Sequence, residues 1–389
     1  MPGLLHIVLN DYMFDNRVRR AAEAGVTLGQ PVAVFALHRP PLPRIERHGA
    51  VCVLRFALVT RAWSKAKPVQ MLKYLEAALR MIARGIIRRP ALVHAHDADA
   101  LPIGWIIARC TGARLVYDAH ELWSDPDRIH QMTALIFRLL QIEERTLARR
   151  CQCVITVSGR IAAYLRATLR IRLPLLVRNL PERWLAVRGT VLRRLIHGSG
   201  EPLVVLFQGV IAGGGPLLLL NAFRKVSGDV ALVYLGNGSG VDDLTQRVNS
   251  DTLLKGRVFF HPAVPSAALH EYTSSADIGV HPMTHGPLNH AWALPNKLFE
   301  YMQGGLAIVA SELPEMANVI RSRRCGLTFT PDEEDGLRHA LQTMVDNAGF
   351  RDSCRNASRL AAEELCWERE REVLVRAYKH LLSRPPIAP

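Results

Sequence analysis

The segment 294–305 carries the strongest chemical signal in the sequence. It reads LPNKLFEYMQGG, in which a proline opens a short helix and a glycine pair ends it. Lys297 and Glu300 are three residues apart and therefore share one helix face. A lysine in the first turn opposes the helix dipole, so a structural ion pair explains the spacing poorly. The pattern instead predicts that Lys297, with Asn296 beside it, meets a diphosphate and that Glu300 binds ribose hydroxyls.

Glycine-rich turns follow two apolar runs in the second half of the chain, 203–208 and 231–235. Glycines between a strand and a helix let backbone N–H groups approach a phosphate closely. A flexible turn without a ligand explains these glycines equally well, and an ordinary connection explains the loop around Val264. Joined with segment 294–305, they predict a nucleotide site that includes Val264 and the glycines Gly209, Gly213, Gly214, Gly215, Gly236 and Gly238.

Histidines and carboxylates end two apolar runs of the first half, in VHAHDAD at 93–99 and VYDAHEL at 116–122. Polar residues at the carboxyl end of a strand in an α/β sheet face ligands more often than they serve structure. His120 is therefore the main candidate of this half, to bind a sugar hydroxyl or to stabilise a developing charge. His94 and His96 alternate with an alanine, so one of them is expected in the core.

Two Asp-x-Asp strings, at 97–99 and 125–127, match the pattern of a metal that holds a sugar-nucleotide diphosphate. Such short acidic strings are frequent by chance. The glycine turns and Lys297 offer a way to hold the leaving group without a metal. We therefore predict no metal and no cofactor, with the nucleotide sugar as donor substrate.

Short apolar, β-branched runs alternate with helical patterns, which is typical of βαβ units around a parallel sheet. The chain has 389 residues, more than the roughly 250–300 at which a single core stops growing. We predict an α/β protein of two Rossmann-like, doubly wound domains that face a cleft. The boundaries are an N-terminal domain at 1–183, a linker at 184–200, a C-terminal domain at 201–362, and a helix within 363–389 that packs back across the hinge.

The charge balance favours an anionic partner, because 49 Lys and Arg against 35 Asp and Glu give a formal net charge of +14. The helical stretch from Lys73 to Arg89 has an apolar stripe on one side and basic residues on another. This suits peripheral contact with an anionic membrane, although a packed helix with a solvated charged face explains the stripe on its own. Nucleic acid is the least favoured partner, because the basic residues lack interleaved aromatics.

No apolar run approaches the roughly 18 residues of a membrane span, and the N-terminus has no basic segment followed by a long apolar stretch. The seven cysteines are scattered and odd in number, which favours reduced structural thiols. We expect a cytoplasmic protein that binds the inner face of the cell membrane through its basic helix.

These strings resemble the family 4 glycosyltransferases of the GT-B fold. The resemblance covers nearly the whole chain and rests mainly on YDAHEL at 117–122 and PNKLFEY at 295–301, with DNRV at 15–18, ITVS at 155–158, RNLP at 178–181 and ADI at 276–278. It implies a nucleotide-diphosphate sugar held mainly by the second domain and an acceptor held mainly by the first. It also implies that no metal is used and that the anomeric configuration is retained.

Three positions depart from the pattern of that family. Glu300 matches the second glutamate of the Glu, seven residues, Glu motif, which binds ribose, but Trp292 stands in place of the first. Gly214 stands where many relatives carry an Arg or Lys that holds the diphosphate, a role that we expect Lys297 to take. Residues 10–14 replace the usual glycine loop after the first strand.

The sequence thus predicts a metal-independent, retaining hexosyltransferase of polysaccharide biosynthesis with His120, Lys297 and Glu300 as its catalytic residues. It would move a hexosyl unit from a uridine or guanosine diphosphate sugar to a hydroxyl group of a lipid-linked or other membrane-associated glycan precursor. A sugar-nucleotide epimerase of similar fold is one alternative. The other, suggested by Trp292 and Gly214, is a catalytically impaired partner of another transferase.

Overall fold

A computed structural model describes residues 3–13, 15–123, 125, 134–184, 188–196 and 201–384. The chain divides into two compact units, the first made of 1–178 and 370–389 and the second of 179–369. Within the described ranges, no helix is both long and apolar enough to span a bilayer.

The first unit is an eight-stranded sheet with helices between the strands. Its strands are β1 (Leu4–Ile7), β2 (Val32–Leu37), β3 (Ile45–His48), β4 (Val51–Phe56), β5 (Leu92–His96), β6 (Arg114–Ala119), β7 (Cys153–Thr156) and β8 (Leu175–Leu176). Its helices are α1 (Asn16–Val26), α2 (Lys67–Arg88), α3 (Asp97–Thr111), α4 (Ala134–Ala148) and α5 (Gly159–Leu169). The strand order is β3-β4-β2-β1-β5-β6-β7-β8, and β1, β5 and β6 at its centre are buried almost throughout, which explains their uninterrupted apolar runs.

Strand β3 is an element of this unit that the apolar pattern does not predict. It is mostly exposed and pairs antiparallel with β4 at the edge of the sheet, with Ile45 opposite Leu54. Because an exposed edge strand needs no apolar face, it leaves no periodic signal in the sequence.

The second unit is a six-stranded, fully parallel sheet. Its strands are β9 (Leu203–Gln208), β10 (Val230–Leu235), β11 (Val258–His261), β12 (Ile278–His281), β13 (Ala307–Ser311) and β14 (Gly326–Phe329), in the order β11-β10-β9-β12-β13-β14. The helices between and after them are α6 (Gly214–Arg224), α7 (Val241–Ser250), α8 (Leu269–Thr273), α9 (Leu288–Ala291), α10 (Asn296–Gln303), α11 (Pro314–Arg323), α12 (Glu334–Asp346) and α13 (Ala348–Glu364). The two sheets confirm the predicted pair of Rossmann-like folds.

The predicted linker 184–200 belongs, in its described part, to the second unit. Leu192 is fully buried in the core of that unit. Arg188 and Arg193 bind the two carboxylate oxygens of Asp277, at 2.9 and 2.7 Å. Asp277 is itself buried and needs these cations, so a segment rich in arginine and glycine is held in place although its composition suggests a linker.

The C-terminal helix α14 (Trp367–Leu382) begins in the second unit, and its residues from Glu370 onward belong to the first. Glu370 accepts two hydrogen bonds at 2.8 Å from Arg178, one from the backbone N–H and one from Nε. The Tyr378 hydroxyl is 2.6 Å from His94 Nδ1 inside the core. Helix α14 from Glu370 onward is thus part of the core of the first unit.

Candidate active site

A cavity of about 510 Å³, the donor cavity, lies in the second unit where β9, β10 and β11 end. The sheet order reverses between β9 and β12, and open α/β sheets bind ligands at such switch points. The structure brings six predicted nucleotide-site residues together in its lining: Gly209, Gly236, Val264, Asn296, Lys297 and Glu300.

Helix α10 positions the two charged residues of this cavity. Pro295 precedes the helix with an extended backbone, and Gly304 caps its C-terminus, as the sequence predicts. The apolar side of α10 is fully buried in the core of the unit through four side chains: Leu298, Phe299, Tyr301 and Met302. The opposite side therefore presents Lys297 and Glu300 to the cavity.

The ammonium group of Lys297 has no anionic partner among the residues that the structure describes. It lies 5.5 Å from the centre of the Phe207 ring, and it makes no hydrogen bond or salt bridge to them. Burial lowers the pKa of Lys297, and the nearby charge of Glu300 opposes this effect only in part. A half-buried cation without a counter-ion is costly unless a ligand supplies the negative charge.

Glu300 is held by a buried glutamine that sequence reasoning did not identify. Gln208 is 3% exposed and donates from Nε2 to Glu300 Oε2 at 2.5 Å. Its amide oxygen lies 2.8 Å from Thr273 Oγ1, whose hydroxyl can donate to it. The available signal is a polar residue at the end of the apolar strand LVVLFQ, directly before Gly209.

Two of the predicted glycines are required by close contacts around Lys297. Gly209 has a φ of +122°, and a Cβ there would lie 2.5 Å from Lys297 Nζ. Gly236 has a φ of +154°, and its Cβ would collide with the carbonyl oxygen of Gly209. A side chain at Gly209 would occupy the space beside the ammonium group, and one at Gly236 would displace the backbone of Gly209.

The remaining predicted glycines lie outside the lining of the donor cavity. Gly213 precedes α6, and a Cβ on Gly215 would collide with the carbonyl oxygen of Pro282. A Cβ on Gly214 would lie 2.9 Å from the Thr284 side chain, and one on Gly238 would meet the carbonyl of Ile211. Close packing against neighbouring segments therefore accounts for Gly214, Gly215 and Gly238, and a phosphate-binding role for these glycines stays a prediction.

Trp292 stands at the position where the family motif has its first glutamate. It is half-buried and ends the short helix α9, donating its backbone N–H to the carbonyl of Leu288 at 2.9 Å. No carboxylate is therefore offered at this position of the chain.

In the first unit, His120 forms an ion pair with Asp97, at 2.9 Å between Nε2 and Oδ2. Burial alone would lower the pKa of His120, but the carboxylates of Asp97 and Asp118 outweigh it and raise the pKa to about 9. Asp97 follows β5 directly and has a φ of +66°, a strained conformation for a residue with a side chain. His120 is thus a cation at neutral pH, a property that its sequence neighbours did not reveal.

His94 and His96 are both buried, so both rather than one belong to the core. His96 Nδ1 lies 3.2 Å from Asp118 Oδ2, and its Nε2 lies 3.1 Å from Nδ1 of the buried His6. Ring and carboxylate atoms here approach within 4.8 Å, a spacing that a metal would accept. Because Asp118 is already paired with Arg17 at 2.8 Å, and the rings of His94 and His6 have internal partners in Tyr378 and His96, we assign these groups to the core. In the second Asp-x-Asp string, residues 126 and 127 lie outside the described part of the chain.

The apolar stripe predicted on α2 comprises Met71, Leu75, Leu79, Ile82 and Ile86, and its first three residues face solvent while the two isoleucines are half-buried. Its exposed fractions are 59% at Met71, 47% at Leu75 and 68% at Leu79. The helix packs on the unit through a narrow face of small residues and one methionine: Ala77, Ala78, Met81 and Gly85. Packing on the unit therefore does not explain the first half of the stripe.

Two family models match the chain. Glycosyltransferase Family 4 matches residues 15–175, and Glycosyl transferases group 1 matches residues 202–347. The two matches fall in the first and the second unit, and between them they span most of the chain.

The chain is 24% identical over 317 residues to the succinoglycan biosynthesis protein ExoL of Rhizobium meliloti, covering 78% of this chain and 76% of ExoL. Sucrose-phosphate synthase from Thermosynechococcus elongatus superposes with a TM-score of 0.80 at 18% identity, over 98% of this chain and 100% of that one. Anabaena HepE in complex with UDP superposes with a TM-score of 0.74 at 15% identity, over the same shares of the two chains. These structures show the fold.

Proposed function

This chain belongs to the family 4 glycosyltransferases, with the GT-B fold, and from that premise we propose a retaining, metal-independent hexosyltransferase. Its donor is a nucleotide-diphosphate sugar, bound in the donor cavity of the second unit. Its acceptor is a hydroxyl group of a lipid-linked or other membrane-associated glycan precursor. The HepE structures, which contain UDP or UDP-glucose, support this class of donor.

The observation that carries the proposal is the unpaired ammonium group of Lys297 in the donor cavity. A diphosphate supplies the negative charge that this half-buried cation lacks. As the bond to the sugar breaks, charge grows on the leaving diphosphate, and a positioned cation stabilises it by roughly 3–4 kcal/mol. Glu300, oriented by Gln208, accepts hydrogen bonds from the ribose hydroxyls.

His120 and the missing motif glutamate shape the proposed chemistry. With Trp292 in place of that glutamate, no carboxylate of the donor cavity is an evident covalent nucleophile, so we favour a front-face transfer over double displacement. A cationic His120 stabilises developing negative charge or donates to a sugar hydroxyl.

The membrane association that we propose rests on α2. This helix exposes the apolar stripe and carries basic residues in its second half, among them Arg80, Arg84 and Arg88. An exposed apolar stripe rimmed by cations suits the interface of an anionic bilayer.

Replacement of Lys297 tests the donor assignment. Thermal shift against a panel of nucleotide sugars first identifies the donor, because a bound donor stabilises the fold. For that donor we expect Lys297→Ala to weaken calorimetric binding at least tenfold and to lower turnover at donor saturation by at least the same factor. Lys255→Ala, which removes an exposed lysine of the same unit, should change both less than twofold.

Unchanged binding and turnover in Lys297→Ala would contradict the assignment. An impaired partner protein would neither bind nor hydrolyse any donor of the panel. An epimerase would isomerise the donor's sugar in the absence of any acceptor, so the same samples are analysed for that product.

A further inference from the structure

A second cavity, of about 450 Å³, lies within the first unit beside the carboxyl ends of β1, β2 and β4. We call it the basic cavity, because three cationic side chains line it, Arg39, Arg61 and Lys73, against one carboxylate, Asp11. Its volume is within the range of about 300–1,000 Å³ that is usual for small-molecule sites. Neither His120 nor any residue of the donor cavity belongs to its lining.

The carboxylate of Asp11 neutralises at most one of the three cations. Its oxygen lies 3.5 Å from Arg39. Arg61 donates to the backbone carbonyl of His38, and Lys73 donates to the backbone carbonyl of Trp63 at 2.9 Å. Because carbonyl groups carry no net charge, two positive charges of the lining are left without an opposite charge among the described residues of the unit.

This excess charge identifies the chemistry of the ligand. A phosphate or diphosphate carries two or more negative charges and matches a lining of two guanidinium groups and one ammonium group. A neutral sugar would leave the charge of the cavity unmatched, and a single carboxylate would match only part of it.

The surface beside the basic cavity indicates what the phosphate is attached to. Lys73 and Tyr74 line the cavity from the first turns of α2. On the same turns, Met71, Leu72 and Leu75 expose 59%, 49% and 47% of their surface. A charged cavity next to exposed aliphatic side chains fits a molecule with a charged group and a hydrocarbon chain.

We propose that the basic cavity binds the phosphate or diphosphate group of an amphiphilic acceptor, with the hydrocarbon chain along the exposed stripe of α2. This inference rests on the proposed transferase function and names the class of its acceptor. The phosphate serves as a handle for binding, so no bond forms or breaks in the basic cavity.

The test is calorimetric binding of farnesyl diphosphate to the full chain, below the concentration at which the probe forms micelles. Farnesol and inorganic pyrophosphate are the matched probes, since each keeps one half of the amphiphile. We expect farnesyl diphosphate to bind at least tenfold more tightly than either. Equal binding of pyrophosphate would show a site for free phosphate and would overturn the proposal.

Two double variants distinguish binding in the basic cavity from general attraction by the positive charge of the unit. Arg61→Gln with Lys73→Gln should weaken the binding of farnesyl diphosphate at least tenfold. Arg166→Gln with Arg172→Gln removes two exposed arginines of the same unit that do not line the cavity, and it should change binding less than twofold. Equal losses in the two double variants would overturn the proposal.

Vesicles of phosphatidylglycerol and phosphatidylcholine distinguish a membrane phospholipid from an acceptor. If the wild-type chain binds these vesicles but not farnesyl diphosphate, the cavity takes a lipid headgroup and the proposal fails. UDP binding is measured on the same samples. Absence of UDP binding by the wild-type chain would count against the proposed transferase function. The farnesyl diphosphate result would still show whether the basic cavity binds an amphiphilic phosphate.

Discussion

Two cations near the carboxyl ends of parallel strands, Arg17 in the first unit and Lys297 in the second, have opposite surroundings. Arg17 is buried and binds both carboxylate oxygens of Asp118, at 2.8 and 2.5 Å, and the carbonyl of Val177 at 2.9 Å. Lys297 has no such partner among the described residues. The contrast shows how a charge withdrawn from solvent can serve either function or structure. A charge with an internal partner builds a core, and a charge without one is available to a ligand.

The two units also differ in what they expose. In the first unit, α2 and α4 together expose nine large aliphatic side chains, Met71, Leu72, Leu75, Leu79, Ile87, Leu135, Ile136, Leu139 and Ile142, each by 47% or more. Among the described residues of the second unit, the exposed large apolar side chains are scattered over loops and one helix: Val210, Leu253, Phe350 and Leu360. Clustered apolar exposure marks an interaction surface, whereas single exposed residues are ordinary.

The largest expected effect comes from breaking the Arg17 pair. Burial alone would raise the pKa of Asp118, but Arg17 and His96 hold it well below its usual range. Arg17→Leu leaves this carboxylate buried without its partner and should lower the free energy of unfolding by about 3–5 kcal/mol, measured by urea denaturation at pH 7. By contrast, Lys297→Ala should leave the unfolding free energy unchanged or slightly raised.

A compensating variant controls this prediction. Arg17→Leu combined with Asp118→Asn removes both charges and should recover a large part of the lost stability. If Arg17→Leu alone costs less than about 1 kcal/mol, the contrast between the two cations is wrong.

The next prediction tests whether the exposed surface of α2 binds anionic membranes. Arg84→Gln with Arg88→Gln removes two cations from the exposed part of α2. Each basic residue near an anionic surface contributes about 1 kcal/mol, so binding to phosphatidylglycerol vesicles should weaken roughly thirtyfold. Co-sedimentation at fixed ionic strength measures it, with Arg166→Gln and Arg172→Gln as the control that should bind normally.

The pH dependence of His120 is a smaller effect. The pKa of His120 is raised to about 9, so its cation is present at pH 7 and is lost as the pH rises through 9. The ion pair with Asp97 therefore contributes stability below the unfolded pKa of about 6.5, and this contribution disappears towards pH 9. If the cation serves transfer, turnover falls over the same alkaline range.

Asp97→Asn should move this alkaline limb of the pH–rate profile towards neutral pH. If the pKa of His120 falls back to about 7, close to its ordinary value, the protonated fraction at pH 8 drops from about nine-tenths to about one-tenth, so we expect about a tenfold lower turnover. If the alkaline limb of the Asp97→Asn profile stays at the wild-type pH, a group other than His120 controls turnover at high pH.

The smallest expected effect concerns Gln208, which lines the donor cavity and orients Glu300. Gln208→Leu removes one hydrogen bond to the carboxylate and should weaken UDP binding about fivefold, a cost of about 1 kcal/mol. The loss should vanish for a nucleotide that lacks the ribose hydroxyls, 2′,3′-dideoxy-UDP. If both nucleotides lose affinity equally, Gln208 supports the cavity in general rather than the ribose contact.

The secondary structure could be predicted from the sequence alone. The alternation of apolar runs and helical spacing determined two βα series, and proline and glycine determined where α10 begins and ends. The three-residue spacing of Lys297 and Glu300 placed both on one helix face. These features depend on neighbours within a few residues along the chain, so the sequence alone predicts them.

Only the tertiary structure decided which distant residues meet. The pairings of Gln208 with Glu300 and of Asp97 with His120, and the core role of both His94 and His96, depend on which strands become neighbours. The exposure of the α2 stripe likewise depends on which face of the helix the unit covers. Sequence spacing fixes the direction of a side chain on its own element, but partners far along the chain fix its burial and its charge.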